Sequence, residues 1–565
     1  MVNGPDTNSD REPMPAGRIS AVREGLWLFE DDHLLVVNKP AGLNTHSPAP
    51  FAGEGFYDWL RHREARWSSL AIIHRLDKET SGVLVFAKTS LANRSLTRQF
   101  TEHTVRKRYL MLTDRLVKPD TCQAVSSIVR AGERYLSRPA RAAGEMAETH
   151  FRVIAREPGR TLVEAVPVTG RTHQIRVHAS EQGWPILGDT LYGGTSWPRL
   201  CLQADSLQLR HPVTGEWMTF RAPADFSEDA RQALRMAVID PAQTNAFRLI
   251  HGAGDGWPGW QVDRLGDFLL SQTESELSDA QRRHLETLPG VTGAYHKRLQ
   301  RRMGGADPAG VSARLVLGRA APERFVISEN GAKFELSFNE GSSVGLFLDQ
   351  RDNRRRFLVN HVAADFPVFA RGGEPPRGEA PPGRVAEPAP GRPEMLNTFA
   401  YTCGFSVCAA KAGARTTSLD LSKKYLEWGK RNFTLNGLDP AAHEFIYGDA
   451  FDWQRRLAKK QRRFDAIVLD PPTFSQSKEQ GVFRAEKDYA GLVAAALPLL
   501  KAGGVLFAST NAAGLKPEDF LKTIERSITH ARRQIRRRHY APQPPDFPIT
   551  RSQPGHLKTV WLQID

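Results

Sequence analysis

Two stretches of this chain gather side chains able to do chemistry. The first, His74-Arg75-Leu76-Asp77-Lys78-Glu79-Thr80-Ser81-Gly82, sets a carboxylate among basic groups and closes on a glycine turn ahead of the apolar run Val83-Leu84-Val85-Phe86. Read alone, Asp77 is a loop carboxylate in a surface ion pair. Two further segments raise it above that reading. Arg106-Lys107-Arg108-Tyr109 sets an aromatic in a basic run, and Gly170-Arg171-Thr172-His173-Gln174-Ile175-Arg176-Val177-His178 leads into Pro185-Ile186-Leu187-Gly188-Asp189 and Tyr192-Gly193. The second stretch, Leu396-Asn397-Thr398-Phe399-Ala400-Tyr401-Thr402-Cys403-Gly404, ends a predicted strand and opens a predicted helix, and Asp420 stands 21 positions past Phe399 at the end of the next strand. A turn that touches a ligand, followed by an acidic residue for ribose hydroxyls, is the nucleotide-binding arrangement of a doubly wound sheet. Phe399-Ala400-Tyr401-Thr402 replaces the usual glycine-rich turn, but Gly448-Asp449-Ala450 follows a third strand and Asp470-Pro471-Pro472-Thr473-Phe474-Ser475 a fourth.

The elements that must position these residues divide the 565-residue chain. Residues 1–18 read as a disordered leader, and 19–225 as a strand-rich, mixed-sheet unit. Residues 226–340 read as a small α+β unit, with a helix over Glu228–Met236 and strands at Asp267–Gln272 and Phe325–Ile327. Residues 341–565 alternate strands and helices, the mark of an α/β parallel sheet. Strands are predicted at Met395–Phe399, Thr416–Leu421, Glu444–Tyr447, Phe464–Leu469 and Gly504–Ser509, after a basic helix over Gln350–His361. The Pro/Gly/Glu/Arg-rich stretch 370–393 has too little apolar content to pack and reads as a flexible insertion.

Composition narrows the class. Apolar residues make up 40% and charged residues 25%, so several cores can be buried. The formal charge of +14 favours polyanionic partners, RNA or DNA before a membrane surface. No apolar run approaches the roughly 18 residues needed to cross a bilayer, and the start carries no signal-peptide core, so a cytoplasmic protein is expected. Four cysteines without a CxxC exclude a disulfide scaffold and give no obvious zinc site; no metal is expected. Three basic clusters are expected to track phosphates: Arg351 with Arg354-Arg355-Arg356, Lys297-Arg298 with Arg301-Arg302, and Arg532-Arg533 with Arg536-Arg537-Arg538.

Asn38-Lys39-Pro40-Ala41-Gly42, the His-Arg-Leu-Asp block and the Gly-Arg-Thr-His-Gln block together, in this order, resemble the RluA-type pseudouridine synthases. The resemblance implies isomerisation of uridine without a cofactor: the glycosidic C–N bond breaks and the base rejoins through carbon. Asp77 would act on the ribose, as nucleophile at C1′ or base at C2′. An ionised carboxylate in a desolvated pocket needs an opposing charge, and by family position Arg176 is that partner. Tyr109 would stack on the target base and handle its C5 proton. The base must be flipped out of its stack, and Arg75 resembles the arginine that fills the vacated space. His74 and His173 read as scaffold histidines. No S4-like RNA-binding module fits the short leader, so further RNA contacts are expected from the C-terminal half.

The second set resembles a class I S-adenosylmethionine-dependent methyltransferase of the RlmI/RlmK ribosomal RNA type. Arg248-Leu249-Ile250-His251-Gly252, Asp255-Gly256-Trp257-Pro258-Gly259 and Val262-Asp263-Arg264 resemble its central domain, and Gly345-Leu346-Phe347-Leu348-Asp349-Gln350-Arg351 its cofactor-covering segment. The resemblance implies S-adenosylmethionine bound by Gln350, Arg351, Phe399, Ala400, Tyr401, Gly404, Asp420, Asp449 and Asp470. Asp420 would hold the ribose, Asp449 the adenine amine, Gln350 and Arg351 the methionine end, and the helix after Gly404 the carboxylate. Asp470-Pro471-Pro472 would offer carbonyl oxygens to the acceptor base, with Phe474 stacking on it. Methylation at cytosine C5 needs a thiolate, but the family's Ser-Cys-Ser is here Ser509-Thr510-Asn511, and Cys403 and Cys408 read as packing residues. The missing thiol points to a guanine nitrogen. An N-terminal PUA domain, present in such relatives, is replaced here by the synthase-like unit. The expected whole is a bifunctional enzyme of large-subunit ribosomal RNA, with no DNA or membrane partner. A 5-methylcytosine-forming enzyme and a ribosome-assembly factor that uses both domains for docking are the alternatives.

Overall fold

The computed structural model describes residues 25–140, 142, 144–299, 312–340, 343–370, 391–477 and 481–565. The expected leader, nearly all of the expected insertion and Arg301-Arg302 lie outside them. The architecture is mixed α/β, built on three main sheets.

The first sheet has eleven strands. Third from one edge, the strand Ser81–Ala87, buried at every position, runs antiparallel to Leu34–Lys39 and parallel to Leu202–Arg210. Full burial explains its unbroken apolar run: neither face meets water. Gly82 sits at φ +120°, and a Cβ there would stand 2.2 Å from the Ala204 carbonyl oxygen, so only glycine permits this close approach. On its far side Leu202–Arg210 pairs with Arg106–Thr113, bringing Tyr109 opposite Ala204. The helix Gln174–Glu181 packs against this half.

The second sheet has five strands in sequential order, Ala246–His251, Gln261–Leu265, Phe268–Thr273, Gly293–Arg298 and Arg314–Gly318. The hairpin Phe325–Glu329/Ala332–Leu336 follows and joins its apolar side chains to the core of the C-terminal unit. The helix expected at Glu228–Met236 spans Ala230–Val238, started by Asp229, whose carboxylate accepts from Arg231 N at 2.8 Å. Leu234 and Val238 on that helix bury in the same core as Leu35, Phe56 and Leu84 of the first unit.

The third sheet runs Glu444–Tyr447, Arg415–Asp420, Glu394–Thr398, Phe464–Leu469, Leu500–Thr510, Lys558–Ile564, Ile535–Tyr540. The first five strands are parallel, and Lys558–Ile564 runs antiparallel to both of its neighbours, Leu500–Thr510 and Ile535–Tyr540. Strand order reverses on either side of Glu394–Thr398, so the loops leaving the carboxyl ends of neighbouring strands open a crevice there. Strands predicted at Glu444–Tyr447 and Phe464–Leu469 match, and that predicted at Gly504–Ser509 begins earlier, at Leu500.

Two of the three basic clusters differ from expectation. On the helix Arg351–Leu358, Arg351, Arg354 and Arg356 are buried and ion-paired with Asp546, Glu329 and Glu54, while Arg355 pairs with Glu64. A helix carrying these arginines reads as a phosphate-facing surface only while its acidic partners, distant in the chain, are out of sight. Arg533 spends its guanidinium on the carbonyls of Leu497, Leu500 and Lys501, while Arg536 and Arg538 pair with Asp565 and Glu525.

Candidate active sites

The loop between Ala71–Ile72 and Ser81–Ala87 carries the first site. Thr45 clamps it from both sides, donating to Leu76 O at 2.9 Å and accepting from Leu76 N at 3.1 Å. Lys39, wholly buried, donates to the carbonyls of Pro40, Leu43 and Lys78 at 2.8, 2.7 and 3.3 Å. Burial pushes its amine down to about 7. The Asn38–Gly42 turn therefore braces the loop that presents Asp77.

Arg75, Asp77, Tyr109 and Arg176 all line one small cavity of about 80 Å³, together with His173 and Lys107. One expectation changes. Arg176 is bound first to Asp189, bidentately at 2.7 and 2.8 Å, and only its Nη1 faces Asp77, 3.9 Å from Oδ2. A guanidinium has donors enough for both, so Asp189 fixes its plane while one edge remains for the site. His173 is no mere scaffold: it lines the cavity at φ 58°, its Nδ1 2.8 Å from the Tyr192 hydroxyl and its Nε2 3.9 Å from Asp77 Oδ2. Its in-sequence signal was Tyr192, 19 residues on in the same family block. Burial and the nearby Asp77 charge raise the Tyr109 phenol above its ordinary value, so it keeps its proton at neutral pH. His74 matches expectation: its Nε2 accepts from Val85 N at 3.2 Å, its ring stacks on Phe100, and burial holds it neutral, down to about 3.

The second site occupies the crevice of the third sheet. A cavity of about 430 Å³ is lined by Gln350, Phe399, Ala400, Tyr401, Gly404, Asp420, Asp470, Pro471 and Pro472, among others. A second chamber of about 320 Å³ shares Phe399, Leu421 and Ser475 with it and is walled by Asp449 and Phe451. In the turn after Glu394–Thr398, Phe399, Tyr401 and Cys403 all have positive φ, at 58°, 50° and 64°. Non-glycine residues there are strained, and the surroundings hold them. Tyr401 N donates to Asp420 Oδ2 at 2.8 Å, Thr402 Oγ1 to Gly345 O at 2.6 Å, and Asn432 Nδ2 to Thr402 O at 2.9 Å. This turn sets the start of the helix Gly404–Lys411 on the cavity wall without the glycines that usually allow it.

Asp420 accepts from Tyr401 N and Ser422 N, and burial nonetheless raises its carboxyl. Asp449 caps the next helix through Phe451 N at 2.9 Å while its face lines the side chamber. Asp470 accepts from Gln350 Nε2 at 3.2 Å, and burial pushes its carboxyl up to about 6. Two expected residues stand apart from the cavity. Arg351 does not line the cavity; it forms a bidentate pair with the fully buried Asp546 at 2.8 and 2.6 Å. Arg354, one turn past Gln350 and so on its face, lines it instead, held by Glu329 at 2.7 Å. Phe474 is 45% exposed at the start of the hairpin Phe474–Ser477/Gly481–Arg484 and lines neither chamber. Tyr425, stacked edge-on against Tyr401 at 4.6 Å, was not foreseen. None of the four cysteines lines the cavity, and burial pushes the thiols of Cys403 and Cys408 up to about 12.

The residues present fit S-adenosylmethionine. The helix start and Arg354 suit a carboxylate, Asp420 a ribose, and the Phe399–Leu421 side chamber a flat base, with Gly404 admitting Leu346 and Arg354 where a Cβ would crowd them at 3.1 Å. Among the described residues no helix is long and apolar enough to cross a membrane.

Comparison with known proteins agrees with both halves. Residues 33–181 match the family description of RNA pseudouridylate synthases, and residues 382–560 that of S-adenosylmethionine-dependent methyltransferases. A ribosomal RNA large subunit methyltransferase of Deinococcus radiodurans is 29% identical over 60% of this chain and 78% of its own length. The Bacillus subtilis protein YwbD is 30% identical over 58% of this chain and 77% of its own. Ribosomal large subunit pseudouridine synthase C of Vibrio vulnificus is 37% identical over 40% of this chain and 75% of its own. With both cavities and both sets of relatives in agreement, the chain belongs to the RNA pseudouridylate synthase family in its N-terminal part and to the S-adenosylmethionine-dependent methyltransferase family in its C-terminal part, and joins the two enzymes in one polypeptide.

Proposed function

We propose that the chain modifies large-subunit ribosomal RNA twice, converting one uridine to pseudouridine at Asp77 and methylating one guanine nitrogen beside Asp470. The convergence of Arg75, Asp77, Tyr109 and Arg176 on one cavity carries the first half. Asp77, its charge supported by Arg176 across 3.9 Å, acts on the ribose of a flipped uridine. The protonated Tyr109 stacks on the base, and Arg75 fills the space left in the stack. Division into units 19–225, 226–340 and 341–565 is supported by the three separate sheets.

In the second half S-adenosylmethionine supplies the methyl group. Gln350, Arg354, Asp420 and the Gly404 helix start orient it, Asp449 marks the adenine end, and Asp470-Pro471-Pro472 holds the acceptor base by carbonyl oxygens. Nitrogen methylation is supported by the cavity lining, which contains no sulfur nucleophile to attack cytosine C6. The ribosomal substrate rests on the names of the relatives, and a cytoplasmic setting follows from that substrate.

Mass-spectrometric mapping of ribosomal RNA from cells lacking the chain, complemented with parent or Asp77→Ala, tests the whole. Deletion should remove one pseudouridine and one methylguanine, and Asp77→Ala should restore only the methyl mark. Loss of 5-methylcytosine instead would refute the guanine assignment. No change in any modification would favour an assembly factor.

A further inference from the structure

We propose that Asn353 and Trp561, neither of which lines the cofactor cavity, are positioning residues for methyl transfer: together they fix which end of the Gln350 carboxamide meets Asp470. This deepens the methyltransferase reading above and rests on it. An unbroken run of hydrogen bonds joins these side chains. Trp561 Nε1 donates to Asn353 Oδ1 at 3.1 Å, and Asn353 Nδ2 donates to Gln350 Oε1 at 2.8 Å. Gln350 Nε2 then donates to Asp470 Oδ1 at 3.2 Å and to Ser509 Oγ at 2.7 Å. Trp561 and Asn353 are buried, so water does not compete for the first of these bonds. Asn353 lies one turn along from Gln350, on the helix Arg351–Leu358. Trp561 lies opposite Phe507, on the strand beside the one that carries Ser509.

The direction of the relay is set at its far end. A carboxamide turned over keeps its shape and exchanges donor for acceptor, so Gln350 by itself is free to face Asp470 with either end. An indole only donates. Asn353 must therefore turn its oxygen to Trp561, and Arg356 Nη1, also only a donor, stands 3.4 Å from the same oxygen. That leaves the Asn353 amino group for the Gln350 oxygen, and the Gln350 amino group for Asp470 and Ser509. Ser509, whose hydroxyl accepts from Gln350, hydrogen-bonds Asp470 in turn. Reversed, Gln350 would set its oxygen against the carboxylate, and only a protonated Asp470 could meet it. Asp349, paired with His556 at 3.0 Å, the Arg354 guanidinium and the Tyr489 phenol also face Asp470. Burial and Asp349 work against its charge, so the N–H that the relay delivers is part of what keeps it an acceptor.

The test is the pH profile of methyl transfer by the full-length protein, with unmodified ribosomal RNA from the deletion strain and tritiated S-adenosylmethionine. Asn353→Asp keeps the shape but presents an acceptor to Gln350, which should turn the carboxamide over, and Arg356 stands beside the new charge. Asn353→Leu leaves Gln350 without a direction and adds no charge. The acid limb of kcat, at about 6 in the parent, should move up by about 1–2 pH units in Asn353→Asp and by less in Asn353→Leu. S-adenosylhomocysteine binding and pseudouridine formation should persist in both. In an Asp470→Asn background, which has no such limb, neither substitution should alter the profile. A limb that keeps its parental place in a folded variant would overturn the relay. So would a variant that binds S-adenosylhomocysteine yet transfers no methyl at any pH, because a side chain two hydrogen bonds from Asp470 tunes the site without carrying the reaction. If one variant fails to fold, the other decides. Parental methyl transfer by Asp470→Ala would instead remove Asp470 from the reaction, and the methyltransferase reading of that residue would fall before the relay was reached.

Discussion

At the scale of single residues, both sites depend on carboxylates kept from water by unequal company. Asp77 faces an arginine edge already committed to Asp189, while Asp470 has only neutral donors, so burial dominates and lifts it from 3.8 to about 6. The sign of the consequence follows. A carboxyl whose folded value is raised binds its proton more tightly in the native state, so it favours folding below about 4 and opposes it progressively as pH rises through about 6. Asp470→Asn keeps the carbonyl oxygen and removes the charge. Its melting temperature at pH 8 should equal or exceed the parent's, and the difference should vanish at acid pH in scanning calorimetry. Parental methyl transfer should fall as pH drops through about 6, when the protonated carboxyl donates where it had accepted, and this limb should be absent in Asp470→Asn. Asp470→Ala, losing the acceptor altogether, should cost about 100-fold in rate.

At the scale of elements, short braced turns do the positioning. The Asp77 loop is held between Thr45, Lys39 and the strand that begins at Gly82, whose Cα passes so close to Ala204 that no side chain fits. Gly82→Ala combines a positive φ with a clash against backbone and should destabilise the synthase unit by about 2–4 kcal/mol. Pseudouridine formation should disappear at a temperature where methyl transfer persists, read by assaying both activities after graded heating. In the cofactor turn, three strained residues do what glycines do elsewhere, because Asp420, Gly345 and Asn432 fix the backbone around them.

At the scale of the whole molecule, the two enzymes are joined by more than a linker. Glu54 and Glu64, on either side of the helix Phe56–Arg63 in the synthase unit, reach Arg356 and Arg355 on the helix Arg351–Leu358, and Phe51 meets Tyr540 edge-on at 4.8 Å. Glu54, His62 and His539 come close enough to suggest a metal site, but Arg356 stands 3.4 Å from both Glu54 and His539, a fixed cation in that space. Burial works to raise Glu54, yet His62 and Arg356 hold it below its ordinary value, so its contribution to docking is present above about pH 4.5 and lost as pH falls further. Glu54→Ala leaves the buried Arg356 guanidinium without its carboxylate. It should split a single thermal transition into two at neutral pH, or lower the first by about 3 kcal/mol equivalent. A parental melting profile would show that the contact does not join the halves.

What was legible in the sequence came from two sources. Resemblance to a family joined Asp77, Tyr109 and Arg176 in one site, and local spacing announced a doubly wound sheet through the strands that lead to Asp420, Asp449 and Asp470, because apolar runs and the residues that end them follow from a period of two or from full burial. Glu444–Tyr447 and Phe464–Leu469 matched to the residue for this reason. What only the tertiary structure decided is which partner each charge finds. Arg351 and Arg354 look alike in a basic run, yet one is bound to Asp546, 195 residues away, and the other faces the cofactor cavity. Arg176 faces Asp77 only because Asp189 holds it, and Gln350 turns its N–H to Asp470 only because Asn353 has taken its oxygen. Side-chain type is a local property of the chain, but a charge's partner is set by which distant elements pack against it, and packing is settled by the whole fold.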